Sequence, residues 1–226
     1  MIRGGALIVF EGIEGAGKTT QLLRLTARLA AAGVPSDTYR EPGGTPLGDE
    51  IRRVLLDPDR VITPRAEALL FMASRAELVE TLIRPKLAAG HVVLLDRFTL
   101  STYAYQVAGR GLDAREIRAA NTIATGGLAP TLTLMLQLPQ HVGAERARLR
   151  GKADRMEASG DSFHARVTAA FERFEDHAWQ RDHPEVGPIL PVDATGSADE
   201  VEQRVLRSLS EAVPELRSAL ARLEVA

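Results

Sequence analysis

An apolar run, Leu7-Ile8-Val9-Phe10, passes through Glu11 into Gly12-Ile13-Glu14-Gly15-Ala16-Gly17-Lys18-Thr19-Thr20, and a helical pattern follows. This is G-x-x-x-x-G-K-T set between a strand and a helix, and it limits the fold before any other residue is read. The strand aims the loop, the glycines let backbone N–H groups close around phosphate oxygens, and the helix contributes the positive end of its dipole. The stretch Gly12 to Thr20 is therefore expected to bind ATP. Within it Lys18 bridges the β- and γ-phosphates and the Thr19 hydroxyl ligates Mg²⁺. Lysine usage supports this. The chain has 28 Lys plus Arg, yet its lysines are Lys18, Lys86 and Lys152 alone. A chain that uses arginine almost everywhere keeps a compact ammonium in this loop, where a planar guanidinium does not fit.

Glu14 places a carboxylate close to where phosphates sit. That costs Coulomb energy unless a metal ion or a hydroxyl donor lies between. A second substrate approaching the loop accounts for it better than a loop that only holds nucleotide. The 226 residues make one large domain or a domain with a lid, and 45% hydrophobic residues supply a core. A formal charge of −2 argues against a bulk polyanion such as DNA as partner. With no cysteine, disulfides and thiolate metal sites are excluded. The first strand begins almost at once, and no run approaches the roughly 18 apolar residues of a membrane span. A soluble cytoplasmic protein is expected.

Strand-like and helix-like runs alternate. Strands are expected at Ala6 to Glu11, Ser36 to Arg40, His91 to Asp96, Thr131 to Leu138 and Pro188 to Val192. Helices are expected at Thr20 to Ala32, Pro46 to Leu56, Arg65 to Ala89 with Pro85 as a kink or break, Ser101 to Val107, Ala114 to Thr125, Val142 to Leu149, Phe163 to Arg181 and Ala198 to Ala212. This order predicts an α/β fold: a P-loop NTPase three-layer sandwich, a five-stranded parallel sheet with helices on both faces and a short lid near 146–160. Ligands then bind at the carboxyl ends of the strands.

The charged clusters fall at such ends. Val92 to Leu95 delivers Asp96 and Arg97, an acid for Mg²⁺ and a guanidinium to fork onto a phosphate. Ser101, Thr102, Tyr105 and Gln106 share a helix face that suits a base and sugar. Phe71 and Arg75, at i and i+4, pair a ring for stacking with a donor for a carbonyl. From Glu145 to Arg155 runs a basic cluster, with Arg146 and Arg150 on one face and Arg148 elsewhere. Phosphoryl transfer builds negative charge that a mobile arginine compensates, and the Gly151 break suits a lid.

At this point the chain resembles the bacterial thymidylate kinases (dTMP kinases). The carriers are Phe10 to Thr20, Arg40-Glu41-Pro42-Gly43-Gly44-Thr45, Asp96-Arg97-Phe98 with Ser101-Thr102 and Ala104-Tyr105-Gln106, and Arg146 to Arg150 with Asp154-Arg155-Met156-Glu157. The resemblance runs from the first strand to about Phe171, and more weakly to Asp193-Ala194-Thr195. It implies transfer of the ATP γ-phosphoryl group to dTMP, with Mg²⁺, in a homodimer formed through helices on one side of the sheet, which the apolar face of the long helix around Leu69, Ala73 and Leu82 permits. Glu14 would face the nucleoside 3′-hydroxyl and Arg97 would hold the dTMP phosphate. Phe71 would stack on thymine, Arg75 would meet its O4, and Gln106 or Thr102 its N3 edge. Tyr105 would sit where a ribose 2′-hydroxyl clashes, with Pro42 and Leu55 walling the pocket beside Glu41 and Ser101. The metal side would comprise Thr19, Asp96 and Glu157. The catalytic arginine would come from the lid, Arg148 or Arg150. Thr168 and Phe171 stand where the family often has Arg and Tyr.

Two other readings differ in chemistry. One is a P-loop kinase for another nucleotide or a hydroxylated metabolite, which differs mainly at Phe71, Arg75 and Gln106. The other is a GTPase-type switch, but the guanine-reading Asn-Lys-x-Asp is impossible because the sole asparagine, Asn121, precedes Thr122.

Overall fold

The computed structural model describes residues 5–149 and 154–220. Five strands, β1 (Ala6–Glu11), β2 (Ser36–Arg40), β3 (Val92–Asp96), β4 (Leu132–Gln137) and β5 (Ile189–Asp193), form one sheet in the order β2-β3-β1-β4-β5. All pairings are parallel. β1 sits at the centre because its side chains are apolar on both faces. Ala6, Ile8 and Phe10 join Val92 and Leu94 in one core, while Leu7 and Val9 join Val93 and Leu95 in the other. The register Ala6↔Val92 through Phe10↔Asp96 keeps those faces matched. Each fully buried side chain of this size contributes about 1.5–3 kcal/mol. A charge at Ile8 would therefore disrupt the larger core. The expected five-stranded parallel sheet is the observed one.

Helix α1 (Lys18–Ala31) follows the phosphate-binding loop. Its N-cap is Gly17 at φ 89°, no side chain caps it, and its first turn carries no acid. Its first N–H groups are thus left for an anion. By contrast α2 (Pro46–Leu56) is closed by the Thr45 hydroxyl, which accepts from the Gly48 N–H. The long helical run expected from Arg65 to Ala89 proves to be α3 (Pro64–Leu78), a π-helical turn (Val79–Ile83) and α4 (Arg84–Ala88). Pro85 does not break it. The wider turn lies over the residues whose carbonyls a proline ring would otherwise crowd.

The segment after β3 is likewise α5 (Thr99–Thr102) running into a π-helical stretch, Tyr103–Gly109, and not a plain α-helix. Next come α6 (Ala114–Thr125), α7 (Gln140–Leu149) and α8 (Asp161–Arg173). The single helix expected over Phe163 to Arg181 is two, because Asp176 caps a separate α9 (His177–Asp182) by accepting from the Ala178 N–H. A capping box of Ser197 and Glu200 starts α10 (Ala198–Ala212), and α11 (Pro214–Leu220) follows. Among the described residues no helix is long and apolar enough to cross a membrane.

Candidate active site

The carboxyl ends of the strands open into a cavity of about 1050 Å³. The loop at its floor is already closed. Lys18 Nζ donates to the carbonyls of Gly12 (3.1 Å) and Ile13 (2.9 Å). Burial pulls the Lys18 ammonium down to about 8, with Arg97 adding to the fall and Glu14, Asp96 and Glu11 opposing it. Bound phosphates would restore the charge. Gly15 stands at φ 76°, and a Cβ there would meet the Gly143 carbonyl of α7. The loop and α7 therefore touch backbone to backbone, which excludes a side chain at 15. The Thr19 hydroxyl donates to Asp96 Oδ2 at 2.6 Å, bringing the tip of β3 onto the first turn of α1.

Arg97 sits between the two halves of the cavity at φ 71°, a left-handed conformation rare outside glycine. Several contacts hold it there. Its N–H donates to the Phe10 carbonyl, Nη1 to the Gly12 carbonyl and Ser101 Oγ, and Nη2 to Glu14 at 3.0 Å. Burial works against its charge, but Tyr105, Glu14, Asp96 and Glu11 outweigh it and keep the guanidinium protonated. Beneath lies Glu11, fully buried, accepting from the Phe98 and Ser101 N–H groups and from the Ser101 hydroxyl. Burial pushes its carboxyl up, against the pull of Arg97 and these hydrogen bonds. Glu11 thus fixes the turn that aims Arg97. Arg52, donating to the Pro42 carbonyl and lowered by burial and by Arg40, also lines the cavity. With Arg40 and Arg97 it makes this stretch cationic.

At the far end the lining includes Phe71, Arg75, Thr102, Tyr105 and Gln106. Arg75 is 2% exposed. Its Nε and Nη2 donate to Glu41, and its Nη1 to Thr102 Oγ1 and Asn121 Oδ1. Of its five donor hydrogens, one on Nη2 is left. Gln106 Nε2 donates to Glu67 at 3.0 Å. The ring of Tyr105 lies 5.1 Å from the Arg97 guanidinium carbon and edge-on to Phe171. Over this end comes the segment 154–159. Asp154, Met156 and Glu157 line the cavity, and Arg155 reaches Glu67 at 2.7 Å and the Leu55 carbonyl at 2.6 Å.

The sequence model of the thymidylate kinase family matches residues 10–205. A thymidylate kinase of Deinococcus radiodurans is 48% identical over 207 residues, covering 92% of this chain and 97% of that protein. The chain belongs to the thymidylate kinase family. Those of Pseudomonas fluorescens Pf-5 and Chlorobium chlorochromatii are 46% and 42% identical, over 94% and 88% of this chain and 96% and 92% of theirs.

In this thymidylate kinase fold the residues expected from sequence are largely gathered in one place. Glu14, Gly15 to Thr20, Glu41, Pro42, Phe71, Arg75, Asp96, Arg97, Ser101, Thr102, Tyr105, Gln106 and Glu157 all line the cavity. Three do not. The wall expected of Leu55 is supplied by Leu56, because Leu55 turns fully into the interior. Gly12 and Ile13 contribute carbonyls to Lys18 instead of cavity surface. Arg148 is exposed and off the lining, whereas Arg146 lines it and reaches the Ala194 carbonyl at 3.5 Å. The α-helical phase that put Arg146 and Arg148 on different faces places Arg146 inward. Arg150 lies outside the described residues. Sequence reasoning missed Glu11, Arg52, Glu67, Asn121 and the loop Ala194 to Ala198. Only Glu11 had a visible signal, as the last strand residue before the loop.

Proposed function

We propose that the chain transfers the γ-phosphoryl group of ATP to dTMP, giving ADP and dTDP. The observation that carries this reading is the continuity of one cavity, from the phosphate-binding loop through Arg97 to the pocket of Phe71, Arg75 and Gln106. ATP phosphates lie on the Gly12 to Thr20 loop, with the base toward Arg146 and the 194–198 loop. The dTMP phosphate sits on Arg97 and Arg52, its 3′-hydroxyl faces Glu14, and Tyr105 fills the space of a 2′-hydroxyl. Thymine stacks on Phe71, with Arg75 toward O4 and Gln106 or Thr102 at N3. Both phosphoryl groups are then held in line, which removes most of the entropy of encounter.

Mg²⁺ suits the oxygen donors Thr19 and Asp96, already in contact, with Glu157 approaching from the lid. One or two protein oxygens plus phosphates and water is what this hard cation accepts. Held there, it would supply positive charge against the phosphates. Charge on the transferring group is met by Lys18 and by a lid arginine, Arg148 or Arg150 on the sequence reading and Arg146 on position. The unit is a single domain of residues 1–226 with a lid near 146–160, acting in the cytoplasm as a homodimer. The exposed Leu69 on α3 favours such a contact. An ADP-release assay with dTMP, dUMP, CMP, UMP, AMP and GMP tests the reading. The highest kcat/KM is expected for dTMP, and a higher value for any other acceptor refutes it.

A further inference from the structure

Glu67 is not itself part of the cavity lining, yet it joins Gln106 of that lining to Arg110 and to Arg155. It lies in the first turn of α3 and is fully buried. Its Oε1 accepts from Gln106 Nε2 (3.0 Å) and Arg110 Nε (3.1 Å). Its Oε2 accepts from Arg110 Nη2 (3.0 Å) and Arg155 Nη1 (2.7 Å). An ionised carboxylate offers about four acceptor sites and no donor. All four are taken. Burial raises the Glu67 carboxyl, but Arg110, Gln106 and Arg155 outweigh it and hold it below the ordinary glutamate range.

An acceptor-only group dictates which end of an amide faces it. Turned the other way, Gln106 would set its oxygen against a carboxylate, losing a hydrogen bond and adding repulsion. With Nε2 fixed on Glu67, Oε1 is the end left. It meets no partner among the described residues, it is not sealed among the unpartnered buried atoms, and Gln106 lines the cavity. We propose that Glu67 is a positioning residue for base recognition: it fixes the Gln106 amide with Oε1 toward the acceptor base, so that the pocket demands an N–H there. This rests on the reading of the cavity as a dTMP site. Beside the remaining Arg75 donor, an acceptor at Gln106 matches the N3–H and C4=O of a pyrimidinedione. Cytosine presents an unprotonated N3 and an amino group, so acceptor would face acceptor and donor would face donor. The carboxylate that seats the lid arm Arg155 thereby also sets the pocket's hydrogen-bond sense.

Glu67→Gln tests this. A glutamine with its oxygen at the Oε2 position still accepts from Arg110 Nη2 and Arg155 but sets an NH₂ against Gln106 and Arg110 Nε, so an acceptor-only group no longer dictates which end of the Gln106 amide faces it. The readout is the ratio of kcat/KM for dTMP to that for dCMP. A fall of about tenfold is expected, the size of one misdirected buried hydrogen bond. Glu67→Asp, which keeps an acceptor-only group, is expected to preserve the ratio within about threefold even where both rates fall. A ratio in Glu67→Gln within about twofold of the unmodified protein overturns the proposal and leaves Glu67 a structural residue. If Glu67→Gln does not fold, side-chain amide exchange by NMR in the unmodified protein decides. Slow exchange of the Gln106 NH₂ is expected, and exchange at the rate of exposed glutamines overturns it. An unmodified protein with no preference for dTMP refutes the function instead, and the Gln106 exchange rate still reports on Glu67.

Discussion

Replacing Glu41 by Ala should be the most destabilising single change at the acceptor end. Glu41 is 6% and Arg75 2% exposed, so neither charge is shared with bulk water. Arg75 gives Nε and Nη2 to Glu41, while Nη1 keeps Thr102 and Asn121. Alanine removes the anionic partner and two of these four donor contacts, leaving a buried guanidinium without its counter-charge. Breaking a buried pair in this way costs about 3–5 kcal/mol, far above the ~0.2–1 kcal/mol of an exposed pair. For a domain of this size each kcal/mol shifts Tm by about 2–4 °C, so a fall of roughly 6–20 °C is expected. Urea denaturation of the ligand-free protein, with far-UV circular dichroism as the probe, measures it at constant m-value. A loss below about 1 kcal/mol would refute the reasoning, because it would mean that water or another group replaces the carboxylate at no cost. Stability in the surviving fraction separates from recognition: KM for dTMP should rise more than KM for ATP.

Lys18→Ala should lower kcat by about 10²–10³-fold or more with the fold intact, as loss of a preorganised cation at developing charge does; near-native kcat would remove its role. The ammonium titrates near 8 in the free protein, so ATP affinity should weaken as pH rises through 8, measurable by calorimetry. The sign reverses for stability. The unfolded chain keeps Lys18 protonated to about 10.5, so the buried ammonium costs the ligand-free fold stability below pH 8, that cost is relieved as pH rises from 8 to 10.5, and Lys18→Met should lack this rise in stability with pH. Arg146→Ala should raise KM for ATP or lower kcat more than Arg148→Ala, and steady-state kinetics showing the reverse order would contradict the inward placement of Arg146. Gly143→Ala should weaken ATP binding, because its Cβ would lie 2.6 Å from the Glu14 carbonyl and push the loop off α7; unchanged calorimetric affinity would show that the two segments yield easily.

The five strands and the phosphate-binding loop were legible because their determinants are local, whereas the strand order was not read from the sequence. A strand, six loop residues and a helix start carry their meaning at fixed spacing, as do Asp96 and Arg97 at the end of an apolar run. The face of Ser101, Thr102, Tyr105 and Gln106 was found for the same reason, although the helix widens to a π stretch there. What sequence spacing does not reveal is which distant charges meet. Glu67 joins Arg155 across 88 positions and Arg75 joins Asn121 across 46. Arg75 shows the consequence: its i, i+4 relation to Phe71 suggested a donor for the base, while the fold commits most of its hydrogens to Glu41, Thr102 and Asn121. The helix break before Asp176 was hidden because the apolar residues Phe171, Phe174 and Trp179 continue across it. All three pack in or against the larger core. The reason that position 15 holds no side chain, the carbonyl of Gly143 pressed on Gly15, appears only once α7 is in place.

Direct observation of the product tests the central claim that this cavity joins ATP to dTMP. With ATP, Mg²⁺ and dTMP, phosphorus NMR of the reaction should show the β-phosphate doublets of dTDP and ADP rising in equal amounts while the dTMP signal falls. Appearance of inorganic phosphate with dTMP unconsumed would contradict the account, since water and not the acceptor phosphate would then be receiving the phosphoryl group.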